Sequence, residues 1–338
     1  MSYLNVSLTV CLLTLVWLWL LVPRGRALAQ SGEPPPRLGG LALAVATLLV
    51  ALLATRLPIG ATHGSAAGLL PVLVGGSLIS LIGWLDDRRP LSPLVKLFGQ
   101  VLAATVTHAL GLSVGFLEPG WGSGLLTVFC LVGGANALNL IDGVDGLAGG
   151  VSMIAAGAAF GLARNSGQID AAVLAAALAG GSLAFLWLNL PPARVYLGDA
   201  GSNFLGFCLA ALPLYMSSGE RGFEHFSAVM LLLAVPIVET ATTIGRRLVS
   251  GRNPLLRDRK HIHHRLLRQG WSIGAVLGLA WGITLGLAGV VLLSGGGMTG
   301  PDSTVRTILT WSLFLLLLLI SALYVGRHAN RLPASSKR

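Results

Sequence analysis

Apolar residues in this chain neither alternate nor keep to one helical stripe; they run on, stretch after stretch. About eleven runs of roughly 18 to 22 residues recur, each long enough to cross a ~30 Å hydrocarbon core as a helix. They cover residues 3–22, 39–55, 67–85, 94–112, 123–140, 146–163, 170–189, 201–217, 225–244, 272–293 and 305–325. The pattern predicts an all-α polytopic membrane protein of about 11 transmembrane helices, folded as a single integral-membrane domain over 1–338. Ala27-Leu28-Ala29 resembles a signal cleavage site, but a cleaved signal carries its positive charge ahead of the apolar run. Here Arg24 and Arg26 follow it, so the first run reads as a retained span whose N-terminus is periplasmic and whose chain ends in the cytoplasm.

Composition agrees with this reading. Only 11% of the 338 residues are charged, against roughly 25% in an average soluble domain, and 54% are hydrophobic. The net charge of +10 could suggest nucleic acid, but in a membrane protein it is better explained by basic residues retained in cytoplasmic loops. Under the eleven-span topology, every Lys and Arg except Arg56, Arg164, Arg221 and Arg306 lies on the inner side. Such a surface suits membrane lipids and phosphorylated substrates, with no nucleic acid partner. Cys11, Cys130 and Cys208 lie inside apolar runs without metal-ligand spacing and read as small buried hydrophobes.

In so apolar a chain, an ionisable residue near a span is costly and calls for a reason. The acids gather in three places that open on one face. Asp86 and Asp87 end the third run, followed by Lys96 about one turn into the next. A lone acidic pair at a span end would be no more than solvated charge, but adjacent carboxylates repel and call for a cation. Asn139, Asp142 and Asp145 recur every third residue and share a face on a helical or 3₁₀ turn. A turn explains Gly143 and Gly146 but not these polar side chains. Asp199, bracketed by Gly198 and Gly201 after Tyr196, stands at a predicted helix start, where it could cap or hold a metal. The cytoplasmic stretch 245–271 then carries Arg259 and His261-Ile262-His263-His264 among many basic residues. Histidines set among arginines suit phosphate oxygens better than a metal.

Carboxylates with a carboxamide suit Mg²⁺, a hard cation that fills its shell with water and substrate phosphates; Mn²⁺ is a substitute. With the basic and histidine donors, they describe phosphoryl transfer at a membrane surface, where one substrate is a lipid. A transporter or flippase would place its acids mid-membrane on several spans, whereas here they lie at one face.

Four ordered segments, LIGWLDDRRPLSPLVKLFGQ, NALNLIDGVDGLAGG, VYLGDAGSNFLGF and RNPLLRDRKHIHHRLLRQG, resemble the signature of the polyprenyl-phosphate N-acetylhexosamine-1-phosphate transferases, over about 34–271. The His-Ile-His-His form resembles the GlcNAc-1-phosphate branch that starts envelope glycans such as O-antigen more than the phospho-MurNAc-pentapeptide branch of peptidoglycan synthesis. The resemblance implies UDP-N-acetylhexosamine and undecaprenyl phosphate as substrates, an active site on the cytoplasmic face, and Asn139 and Asp199 as Mg²⁺ ligands. It places Asp86 and Asp87 beside the lipid phosphate and gives Asp142 and His263 catalytic roles. Lys96, Arg259, His261 and His264 would contact phosphate, Tyr196 would stack on uracil and Asp145 would help read it. Homodimer formation is left open. Glu239, in Pro236-Ile237-Val238-Glu239-Thr240, stands where the resemblance leads one to expect Asp.

Overall fold

A computed structural model describes residues 2–30, 35–57, 67–249 and 261–294, with 311, 312 and 315. All regular structure among them is helical. Twelve α-helices follow in order: α1 Tyr3–Gln30, α2 Gly39–Ala54, α3 Leu70–Arg88, α4 Pro93–Ala109, α5 Trp121–Ile141, α6 Leu147–Asn165, α7 Ile169–Asn189, α8 Gly198–Tyr215, α9 Gly222–Leu232, α10 Ala234–Val249, α11 Ile262–Arg268 and α12 Ile273–Ser294. Six of them, α1, α3, α5, α6, α7 and α12, are long and apolar enough to cross a membrane, and a bent α9–α10 pair makes a seventh. The chain is therefore a polytopic membrane protein.

α7 lies at the centre, packed by α1, α2, α6 and α8. Its alanine-rich surface permits this, because in lipid, helices associate through close packing and not through expulsion of water. Small residues set the approach: a Cβ on Gly40 would fall 2.2 Å from the Gly201 Cα, so α2 and α8 touch almost backbone to backbone. α8 is in turn enclosed by α2, α3 and α5.

Expected and observed spans differ instructively. α2 and α4 have 16 and 17 residues, a little short of the assumed length. α3 runs on through Asp86 and Asp87, so the acidic pair belongs to its last turn and does not follow it. The expected single span at 225–244 is two helices meeting at a 74° bend. Pro236 explains the break: it has no N–H to continue the ladder, and its ring excludes the carbonyl four residues earlier, at the end of α9. The histidine stretch also differs from an open loop, since α10 reaches Val249 and α11 begins at Ile262. The expected run at 305–325 falls almost wholly outside the described residues.

Candidate active site

The ends of α2 to α8 meet at one end of the bundle, and hydrogen bonds fasten them. The segment before α2 is joined to the segment before α8: Tyr196 N–H donates to Pro36 O at 3.0 Å, and Gly39 and Gly40 N–H donate to Tyr196 O and Leu197 O at 3.0 and 3.1 Å. The α5–α6 turn is held to the α7–α8 connection. Gly146 N–H donates to Asn189 Oδ1 at 2.8 Å, Asn189 Nδ2 to Val195 O at 2.9 Å, and Ala193 N–H to Asp145 Oδ2 at 3.0 Å.

On this frame the acids of three segments converge. Asp86 is buried, with Oδ1 accepting from Leu91 N–H at 2.6 Å and Oδ2 facing Lys96 Nζ at 2.9 Å. The same ammonium contacts Asp199 Oδ2, so Lys96 bridges α3 and α8. Asp87 turns the other way. Its two oxygens accept the N–H groups of Asp199 and Ala200, each at 3.0 Å, and it thereby caps α8 from another helix. Leu197, at the N-cap position, offers no side-chain acceptor, so those donors would otherwise be orphaned. Gly198 makes the approach feasible: its φ is +70°, and a Cβ there would lie 2.7 Å from the Asp87 carboxylate. Arg37 Nη1 stands 3.9 Å from Asp87 Oδ1 on the exposed side.

Beneath the acids lies an amide network. Gln100 Nε2 donates to Asn203 Oδ1 at 3.1 Å, Asn136 Nδ2 to Gln100 Oε1 at 2.7 Å, and Asn203 Nδ2 to Asp199 O at 2.7 Å. Gln100 and Asn203 sit one turn beyond Lys96 and Asp199, and Asn136 one turn before Asn139. That echo of polar positions, four or three residues along the same helix face inside apolar runs, was a readable sign of a buried polar layer. Sequence reasoning left these three, and Arg37, without a role.

Asn139 Nδ2 donates to Ser202 Oγ at 3.0 Å, which leaves its carbonyl oxygen as the available acceptor beside the first turn of α8. Asp142, just beyond α5, has its pKa raised well above the usual carboxylate range by burial and by the negative charges of Asp199, Asp87 and Asp145, with Arg37 opposing them. The Tyr196 phenol is pushed up by burial and by Asp145. The oxygen donors that meet here, the Asp199 carboxylate and the Asn139 carbonyl, fit a hard cation such as Mg²⁺, which takes one or two protein oxygens and fills its shell with water and phosphate. Asp199 and Asn139 are the residues that would hold it.

The histidines close the other side. His261 precedes α11, and His263 and His264 lie in its first turn. The His261 and His263 rings stack at 5.5 Å and 9°, and those of His263 and His264 lie 4.4 Å apart. A Cβ on Gly143 would come within 2.9 Å of His263 Nε2 and 3.1 Å of His264 Nε2, so both rings abut the turn bearing Asp142 and Asp145. Burial, partly offset by Glu239, and the two neighbouring imidazoles pull the His263 pKa down to about 4. It is neutral near pH 7, and its buried Nε2 has no hydrogen-bond partner among the described residues. Arg259 lies outside the described residues.

Comparison with known proteins follows the same geometry. The model of glycosyl transferase family 4 matches residues 69–217, which contain the acidic pair, the Asn139–Asp145 turn and Asp199. The decaprenyl-phosphate N-acetylglucosaminephosphotransferase of Mycolicibacterium smegmatis is 36% identical over 308 residues, 79% of this chain and 76% of that protein. The chain belongs to the polyprenyl-phosphate N-acetylhexosamine-1-phosphate transferases of glycosyl transferase family 4. A probable undecaprenyl-phosphate N-acetylglucosaminyl 1-phosphate transferase of Bacillus subtilis is 34% identical over 248 residues, 70% of this transferase and 67% of the relative. The phospho-N-acetylmuramoyl-pentapeptide-transferase of Geobacillus kaustophilus is 33% identical over 279 residues, 76% and 82% of the two chains. The first three signature segments of this transferase meet through Lys96, Asp87 and Asn139, and of the fourth the described His263 and His264 lie against the Gly143 turn.

Proposed function

We propose that this transferase moves N-acetylhexosamine-1-phosphate, GlcNAc-1-phosphate in the first instance, from a UDP-sugar to undecaprenyl phosphate, releasing UMP. The observation that carries the reading is Lys96, an ammonium at a membrane-helix start that joins Asp86 to Asp199. Such an arrangement suits two anionic phosphates meeting between an acidic pair and a cation site.

In this reading the lipid phosphate enters beside Asp86 and Lys96, and Lys96 orients it. The nucleotide lies along Tyr196 and Asp145, with its phosphates toward His263 and His264. An Nε2–H tautomer of neutral His263 donates to a phosphate oxygen, which satisfies the buried imidazole edge. Mg²⁺, when bound at Asp199 and Asn139, supplies charge neutralisation for the pyrophosphate. A prenyl phosphate is already largely anionic near neutral pH, so its oxygen attacks the sugar-linked phosphorus directly, the P–O bond to UMP breaks, and UMP leaves as the anion. We further place all eleven spans, including residues 305–325, in a bacterial inner membrane with this site on the cytoplasmic face; whether the chain pairs with a second copy is left to the same preparation.

The test is purified protein with undecaprenyl phosphate, Mg²⁺ and a panel of UDP-N-acetylhexosamines, with product mass measured. A lipid-pyrophosphate-GlcNAc product is expected. Product from UDP-MurNAc-pentapeptide alone would move the chain to the branch of the Geobacillus kaustophilus relative, and no product from any donor would reject the reaction. For orientation, cysteines placed at exposed Glu118 and Gln269 in a background lacking the native three should label from outside the cell and only after lysis, respectively. The reverse would invert the topology.

A further inference from the structure

Glu239 enters the sequence as a departure from expectation, an acid within an apolar helix. In the structure it is 5% exposed, and among the described residues its carboxylate meets the histidine segment. Oε1 accepts from Ile262 N–H at 2.8 Å and lies 3.2 Å from His261 Nδ1. Oε2 is 3.9 Å from His263 Nδ1. One turn along α10, Thr243 Oγ1 lies 3.4 Å from the same His261 nitrogen.

A seven-residue helix is far too short to hold itself together, and its first N–H groups need acceptors. His261, at the N-cap position, makes no side-chain cap, so a residue of α10 does the work from 23 positions away. The carboxylate also accepts from Nδ1–H of His261 and so fixes the start of the helix that carries His263. His263 Nδ1, 3.9 Å from Oε2, is beyond hydrogen-bond reach and needs no proton there, so the Nε2–H tautomer can face Gly143. That edge is buried and, among the described residues, unpartnered. A carboxylate that holds a segment in place so that a neighbouring imidazole can act follows the logic by which outer groups orient histidines.

We propose that Glu239 is a positioning residue for donor binding: it anchors the start of α11 and so holds in place the His263 ring that meets the nucleotide-sugar phosphates. What it orients toward rests on the reaction proposed above; that it orients at all does not. Glu239→Gln keeps the length and one acceptor but presents an amide donor where the His261 imidazole and a backbone N–H already need acceptors. Glu239→Asp keeps the charge and retracts it by one methylene.

The full-length protein in nanodiscs serves two measurements. In hydrogen exchange, the amides of 262–265 should be protected in the wild type and lose protection in Glu239→Gln, with Glu239→Asp between them. In kinetics with UDP-GlcNAc and undecaprenyl phosphate, Glu239→Gln should raise the donor KM about tenfold, as for a lost charge-assisted hydrogen bond, and leave the lipid KM within about twofold. Glu239→Asp should recover part of it. The pair Glu239→Gln with His263→Ala should be no worse than His263→Ala alone, because both remove one contact. Unchanged exchange at 262–265, an unchanged donor KM, or multiplying effects in the double variant would each overturn the proposal. A wild type inactive with every donor would instead reject the reaction, and the exchange experiment would then decide the anchor by itself.

Discussion

The two sides of the site are built on opposite plans. On the acidic side the carboxylates of Asp86, Asp87 and Asp199 have protein partners from other segments: Asp86 holds Leu91 N–H and Lys96, Asp87 holds two N–H groups of α8, and Asp199 meets Lys96. On the histidine side the described contacts converge on Glu239, and His263 Nε2 is left unsatisfied. A side whose charges are already mutually satisfied keeps its shape while phosphates exchange. A side with an unpaired buried donor or acceptor gains that hydrogen bond only when a ligand supplies it. In the proposed reaction the acidic side serves as the platform, and the histidine side is the part that substrate completes.

The largest effect should come from breaking the platform at its cation site. Asp199→Asn preserves shape and the backbone carbonyl that Asn203 uses, yet removes the charge, and turnover at ordinary Mg²⁺ should fall by several orders of magnitude. Product formation measured across a Mg²⁺ titration checks this; half the wild-type rate would remove Asp199 from the ligand set. On the opposite side, His263→Ala should weaken UDP-sugar affinity by roughly ten- to a hundredfold, the usual 1.5–3 kcal/mol of a charge-assisted hydrogen bond. An unchanged donor affinity would mean that the unpaired Nε2 edge does not face the nucleotide.

The smallest effect separates the two adjacent acids. Asp87→Asn offers an NH₂ to one of the two N–H groups at the start of α8, so thermal unfolding should show a loss of about 0.5–2 kcal/mol beyond that of Asp86→Asn. Equal losses would mean that the α8 cap contributes nothing distinctive.

The sequence disclosed the membrane class, the convergence of the three acidic segments and the family, because in an apolar chain each polar residue stands out. It did not disclose what individual acids do. Asp86 and Asp87 are chemically identical neighbours, and only their rotation on α3, about 100° apart, sends one to Lys96 and the other to α8. Glu239 was conspicuous by type, but its partners lie 22 and 23 residues away beyond a stretch of chain with no periodicity to follow. The bend at Pro236 was in principle readable from the proline; the hydropathy of the flanking residues hid it, since each half is apolar enough to continue the other.

Calorimetric titration of UDP-GlcNAc, with Mg²⁺ present, into the wild type, Asp86→Asn and His263→Ala tests most directly the division of substrates between the two sides. Asp86→Asn should bind the donor within about twofold of the wild type while failing in turnover, and His263→Ala should bind it roughly ten- to a hundredfold more weakly. Loss of donor binding in Asp86→Asn with normal binding in His263→Ala would contradict that division and exchange the substrates between the two sides.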